Sequence, residues 1–185
     1  MQEKKIEDVW YSDGIRKLKV PRWVLEKMSL CEQNIDRNER GGILLGLVFK
    51  DHDEVVEFGK PAKSNKSKYF SFIRRKNPAQ KIINDAWNQS GGYIVYLGEW
   101  HTHPGSDPFP SGQDKIMIEK VFRTTRMEID YLYLIIAGAN KSYWIGRQDN
   151  KELKTLKPIS WKSKERPPTL DMAQGGIGVG KLAMK

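Results

Sequence analysis

Short apolar segments separated by polar turns run through most of the chain and predict alternating strands and helices. Residues 39–49, 93–103 and 130–137 are apolar runs with turn residues nearby, a pattern typical of strands covered on both faces. Apolar side chains at helical spacing predict three helices, at residues 21–34, 78–89 and 111–126. This order of elements predicts one α/β domain.

Further strands are predicted from shorter signals. Asp13-Gly14 is a turn signal, so residues 1–20 form either a hairpin or one strand with a bend. Residues 51–53 read as a turn into a strand at residues 54–59, and His52 is interpreted as a loop histidine rather than a ligand. Further strands or edge pairing are predicted at residues 69–73, 142–147 and 153–156.

The periodic pattern stops near residue 161, which predicts a domain over residues 1–161 and a flexible tail over residues 162–185. The tail contains Pro167-Pro168 and the glycine-rich residues 175–180. Three interpretations stay open: a native flexible end, an appended sequence, or a segment that lies in a neighbouring molecule's groove as a product mimic.

Composition narrows the class of protein. The net charge of +9 is compatible with nucleic acid, an anionic membrane or an acidic protein as partner, but the sequence shows no nucleic-acid-binding signature, so a solvated lysine-rich surface is preferred. The apolar run at residues 131–139 is too short to span a bilayer, and no signal peptide is visible at the start. A single cysteine, Cys31, excludes an internal disulfide and suits a reducing cytosol, so a cytoplasmic protein is expected.

The strongest chemical signal is the pair His101 and His103 followed by Asp114. Side chains at i and i+2 of a strand point the same way, so both imidazoles can face one metal while Pro104 ends the strand. Asp114 falls in the first turn of the next helix, where a carboxylate is favoured. Two imidazoles and one carboxylate are a common ligand set for a catalytic zinc, which keeps one position open.

Two neighbours of this set have competing interpretations. Ser111 with Asp114 fits a helix N-cap and a near capping box, which is a purely structural role. A catalytic metal also needs a general base, and both Glu99 and Glu39 are candidates between which the residues alone do not choose. Trp100 is interpreted as a core residue.

These residues resemble a known family. Glu39 followed by Gly-Gly-Ile-Leu-Leu-Gly, then Trp-His101-Thr-His103-Pro with Ser111 and Asp114, is similar to the JAMM motif of JAB/MPN metalloproteases. The resemblance covers roughly residues 10–150 in element order, and only the motif is specific. It implies a single JAB/MPN domain of the cytidine-deaminase-like type, with a central mixed sheet flanked by helices.

The resemblance also implies roles for the motif residues. His101, His103 and Asp114 would bind zinc, and Glu39 would hold the attacking water as general base and then general acid. Ser111 would donate a hydrogen bond to the oxyanion, and Glu99 would have a supporting role. The stretch Gly-Glu-Trp-His-Thr-His-Pro resembles short bacterial members of the family, and some of these are deconjugating peptidases, including those of type II CBASS antiphage systems.

The implied reaction is zinc-dependent hydrolysis of a peptide or isopeptide bond. The implied substrate is either the C-terminal tail of a ubiquitin-like protein or a protein that is conjugated through its C-terminus. Residues 60–68, with Tyr69 and Phe70, are the candidate edge for an extended tail. The basic residues Arg74, Arg75 and Lys76 are candidates for contact with an acidic partner. Two alternatives remain: a non-catalytic MPN-type scaffold that binds partners, and a RadC-like protein associated with nucleic acid. The oligomeric state does not follow from the sequence.

Overall fold

The computed structural model describes residues 8–33, 38–59, 76–127 and 129–161. Its helices are α1 (Arg22–Glu32), α2 (Lys76–Gln89) and α3 (Gly112–Thr124), with a short 3₁₀ turn at Ala139–Lys141. Its strands are β1 (Val9–Ser12), β2 (Lys17–Val20), β3 (Gly41–Val48), β4 (His52–Phe58), β5 (Val95–Thr102), β6 (Leu132–Gly138), β7 (Ser142–Gln148), β8 (Leu153–Thr155) and β9 (Lys157–Ile159).

All of these strands belong to one mixed sheet, in the order β8-β7-β6-β5-β3-β4-β2-β1-β9. The pairs β5–β6 and β2–β4 are parallel, and the other neighbours are antiparallel. The predicted central mixed sheet flanked by helices is therefore confirmed.

The last two strands join the two edges of this sheet. β8 pairs with β7 and β9 pairs with β1, although only Leu156 separates them in the chain. Leu156 is buried, and its N–H donates to the carbonyl of Ile145 at 2.8 Å. The sheet must therefore curve back on itself, because one short segment reaches both of its edges.

Two apolar clusters cover the two faces of the sheet. β6 shows this directly, since Tyr133 and Ile135 belong to one cluster while Leu132 and Leu134 belong to the other. A strand buried on both faces explains its continuous apolar sequence. Helix α1 packs on the first face, and α2 and α3 contribute to the cluster on the second face.

The structure confirms most predicted elements and corrects one. β1 and β2 form a hairpin around Asp13-Gly14, which was one of the two alternatives left open for residues 1–20. His52, predicted to lie in a loop, is instead the first residue of β4 and is fully buried. The sequence prediction was wrong because the turn residues beside His52 gave no sign that aromatic rings cover its side chain. Its ring stacks on Phe49 at 4.4 Å between centroids and lies 5.3 Å from the ring of Trp10.

Several predictions fall outside the described residues. These are the loop at residues 60–68, the strand at residues 69–73, the basic residues Arg74 and Arg75, and the tail at residues 162–185. Within the described part of the chain, no helix combines the length and apolar character that crossing a membrane requires.

Candidate metal centre

Strand β5 places both histidines at the end of the sheet. His101 is fully buried and His103, just past the last residue of β5, is half-buried. Thr102 points to the opposite face, and its side-chain oxygen accepts a hydrogen bond from the N–H of Arg40 at 2.9 Å. Opposite His101 stands Gly41, where an added Cβ would lie 2.6 Å from the carbonyl oxygen of Trp100, so this position requires glycine.

Helix α3 supplies the carboxylate. Ser111 is its N-cap, and its hydroxyl accepts from the N–H of Asp114 while the carboxylate of Asp114 accepts from the N–H of Ser111 at 2.7 Å. This is the predicted capping box. The hydroxyl of Ser111 also donates to Asp114 Oδ2 at 2.6 Å. Asp114 is buried, whereas Ser111 is exposed.

The three predicted ligands converge on one point. His101 Nε2 lies 3.1 Å from His103 Nε2 and 3.1 Å from Asp114 Oδ1, and His103 Nε2 lies 3.4 Å from Asp114 Oδ2. For metal–ligand bonds near 2.0–2.1 Å, the edges of a tetrahedron are about 3.3 Å long. The spacing and chemistry of these three groups therefore fit zinc. They are the only group of potential metal ligands found within the described ranges.

The orientation of His103 is set by the loop that follows it. The Nδ1 of His103 lies 3.2 Å from the carbonyl oxygen of Asp107. A carbonyl only accepts, so Nδ1 carries a hydrogen, and Nε2, which faces Asp114, is the atom that the neutral ring can offer to a metal. This second contact of a ligating histidine is typical of metal sites. Sequence reasoning missed it, because a backbone carbonyl leaves no signal in the residue type.

The electrostatics of the cluster favour a negative carboxylate beside imidazoles. Burial alone would raise the pKa of Asp114, but hydrogen bonds from His101 and His103 hold it far below its usual value. The hydrogen bond with Asp114 raises the pKa of His103, against the opposing effect of burial. The carboxylate therefore remains ionised, which a metal ligand requires.

Glu39 lies beside this cluster on the same face. Gly41 pairs with His101, and the N–H of Thr102 donates to the carbonyl of Arg40 at 2.8 Å, so the register places Glu39 alongside His103. Residues opposite one another in an antiparallel pair share a face. Glu39 is exposed, and its charge contributes to the raised pKa of His103. Its side chain is therefore accessible to solvent beside the cluster.

Glu99, the other candidate base, is placed differently. It is buried two residues before His101, and burial raises its pKa to about 8. Its carboxylate accepts a hydrogen bond from the hydroxyl of Tyr96. Glu99 is not among the converging ligands. Trp100, predicted to be a core residue, is fully buried, and its Nε1 donates to the carbonyl of Gly59 at 3.2 Å.

Comparison with known proteins shows the family. Residues 21–157 match the model of prokaryotic homologs of the JAB domain. That match spans both histidines, Ser111, Asp114 and Glu39, as well as most of the sheet. The chain belongs to the prokaryotic JAB family, as the motif predicted.

Curated relatives agree with this assignment. A protein of Escherichia coli (strain TW11681) named CD-NTase/cGAS isopeptidase is 32% identical over 135 residues, which cover 72% of this chain and 83% of that protein. A protein of the same name from Vibrio cholerae serotype O1 is 31% identical over 121 residues, covering 65% of this chain and 74% of that protein. The solution structure of a protein from Desulfitobacterium hafniense shares the fold at a TM-score of 0.54 and 18% identity, covering 74% of this chain and 87% of that one.

Proposed function

We propose that the protein is a zinc-dependent isopeptidase that releases a protein joined through the C-terminus of a ubiquitin-like protein. The observation that carries this proposal is the convergence of His101, His103 and Asp114 at zinc-like spacing. Membership of the prokaryotic JAB family and the isopeptidase name of its relatives support it.

Each motif residue has a placement that suits its proposed role. Zinc, when bound, polarises the scissile carbonyl and makes water a better nucleophile near neutral pH. Glu39 stands exposed beside His103, where it takes the proton from water and returns it to the leaving amine. The exposed hydroxyl of Ser111 can rotate from Asp114 to donate to the oxyanion.

The relatives' name indicates which conjugates to examine. We propose that the released protein is a nucleotidyltransferase of the CD-NTase class and that the protein acts in the cytoplasm as part of an antiphage system of the CBASS type. An extended ubiquitin-like tail with little side-chain bulk suits a site at the end of a sheet.

The test is cleavage of a purified CD-NTase conjugate by the zinc-loaded protein. Glu39→Gln should lower kcat about 1000-fold, because a positioned general base contributes roughly 10²–10⁴-fold. Its zinc affinity should stay unchanged, since Glu39 is not among the converging ligands. Equal cleavage by the wild-type protein and Glu39→Gln would remove Glu39 as the base, and no cleavage by either would remove the proposed activity.

A further inference from the structure

A buried carboxylate from the other face of the sheet reaches the loop that follows His103. Glu32 is the last residue of α1 and is only 7% exposed. Its Oε1 accepts a hydrogen bond from the N–H of Gly105 at 2.9 Å. Resting on the metal centre proposed above, we infer that Glu32 is a positioning residue that holds this loop and thereby orients His103.

Three hydrogen bonds connect Glu32 to the imidazole of His103. Gly105 is bound to Glu32, and the next residue, Ser106, donates its N–H to the carbonyl of His103 at 3.1 Å. One residue further on, the carbonyl of Asp107 lies 3.2 Å from His103 Nδ1. The loop is therefore a closed turn over His103, and a shift of its backbone moves the carbonyl that orients the ring.

The same loop is also held at the end of β6. The carbonyl of Ser106 accepts from the N–H of Ala139 at 2.8 Å. At Gly138 an added Cβ would lie 2.6 Å from that carbonyl oxygen, so the loop packs directly on the backbone of β6. Glu32 supplies a second anchor, from α1. Two anchors fix the position of the turn, whereas one would leave it free to pivot.

The contact satisfies a buried acceptor. A buried polar group is costly unless it is hydrogen-bonded, and the N–H of Gly105 supplies that bond to Glu32 Oε1. Gly105 has φ of +70°, a conformation that suits glycine and directs its N–H inward to Glu32. The backbone conformation of Gly105 therefore allows the turn to donate its N–H to the side chain of Glu32.

The experiment compares two substitutions of similar length on the same helix. Glu32→Gln keeps an oxygen that accepts from Gly105, whereas Glu32→Met keeps the volume and removes the strong acceptor. Glu26→Met is the control, because Glu26 is exposed on the same helix. Glu32→Ala serves as a second variant without the acceptor if the methionine packs poorly.

We expect Glu32→Met to weaken zinc affinity about 10-fold, the lower end of the range for groups that support a ligand. Affinity is measured by competition with a chromophoric chelator, and Co²⁺ absorption reports the altered ligand geometry. Glu32→Gln and Glu26→Met should bind zinc within about threefold of the wild-type protein, since the hydrogen bond or its surroundings are kept. In the metal-free protein, amide exchange at Gly105 should accelerate in Glu32→Met and Glu32→Ala, but not in Glu32→Gln or Glu26→Met.

The outcomes separate this inference from the proposed function. If the wild-type protein binds no zinc, the metal centre itself is refuted. If the wild-type protein binds zinc and Glu32→Met binds it equally well, only the role of Glu32 is overturned. The inference also fails if Glu32→Gln behaves like Glu32→Met, because the effect would then come from the lost charge and not from the hydrogen bond to Gly105.

Discussion

Two carboxylates are buried at opposite ends of strand β3, and their partners differ in kind. Asp114 lies at the end where β3 begins, since its neighbour His101 pairs with Gly41. Asp53 lies at the other end, where it pairs with Val48. Both are shielded from solvent and both accept several hydrogen bonds.

Asp53 is neutralised by groups that the chain itself supplies. Arg16 donates to both of its oxygens, with Nε at 3.0 Å and Nη2 at 2.7 Å. The hydroxyls of Tyr131 and Tyr133 donate to Oδ2 at 3.0 Å and 2.7 Å. Burial raises the pKa of both tyrosines, so their hydroxyls stay protonated as donors. This cluster is complete and has a structural role.

Asp114 faces two imidazoles, in addition to the two donors of Ser111. In the neutral ring with hydrogen on Nδ1, the Nε2 of His103 can present a lone pair to a cation, as the carboxylate can. A zinc ion from outside the chain would complete such a set, whereas Arg16 completes the Asp53 cluster from within the chain. Burial and charge alone therefore do not identify a functional carboxylate, whereas the chemistry of its partners does.

The largest expected effect comes from Asp114→Asn. Loss of one ligand should lower isopeptidase activity at least about 1000-fold, since a catalytic metal contributes several kcal/mol and each 1.36 kcal/mol is tenfold. The measurement is cleavage of the conjugate together with far-UV circular dichroism as a folding control. If Asp114→Asn kept its activity within tenfold of the wild-type protein, the proposed difference between Asp114 as a ligand and Asp53 as a structural carboxylate would be contradicted.

Asp53→Asn should lower stability and leave activity unchanged. Removal of its charge leaves Arg16 partly buried without its partner, which should lower the free energy of unfolding by about 3 kcal/mol. Urea denaturation measures this change. The kcat of the folded protein should stay at the wild-type value, because Asp53 is at the far end of β3. A large fall in kcat with unchanged stability would contradict a structural role.

A smaller effect separates the two roles of Ser111. Ser111→Ala should cost about 1 kcal/mol of stability through loss of the N-cap, whereas Ser111→Gly should cost only a few tenths. Both should lower kcat about 100-fold if the hydroxyl stabilises the oxyanion. Thermal unfolding and steady-state kinetics are measured on the same samples. If kcat falls in Ser111→Ala but is nearly unchanged in Ser111→Gly, as the stability is expected to be, Ser111 acts only as a helix cap.

The clustering of His101, His103 and Asp114 could be predicted from sequence because its signals are local. His101 and His103 share a strand face by their spacing, and Ser111 with Asp114 carries a helix-start signal. Glu39 needed the family resemblance, because only the pairing of β3 with β5 brings it beside His103. The choice between Glu39 and Glu99 depends on burial, which the residue type does not reveal.

The cluster around Asp53, at the other end of β3, could not be predicted because its contacts join distant parts of the chain. Arg16, Tyr131 and Tyr133 lie 37, 78 and 80 residues from Asp53. Periodicity detects an apolar face but does not identify which polar groups meet across a curved sheet. For the same reason the burial of His52 and the pairing of β9 with β1 emerged only from the structure.

The zinc content of the purified protein tests most directly whether the cluster around Asp114 binds a metal and the cluster around Asp53 does not. We expect one equivalent of zinc per chain in the wild-type protein and in Asp53→Asn after dialysis, and almost none in His101→Ala, because His101 contributes one of the three converging ligand atoms. A wild-type protein that holds no zinc, or a His101→Ala variant that holds as much as the wild-type protein, would contradict the metal centre.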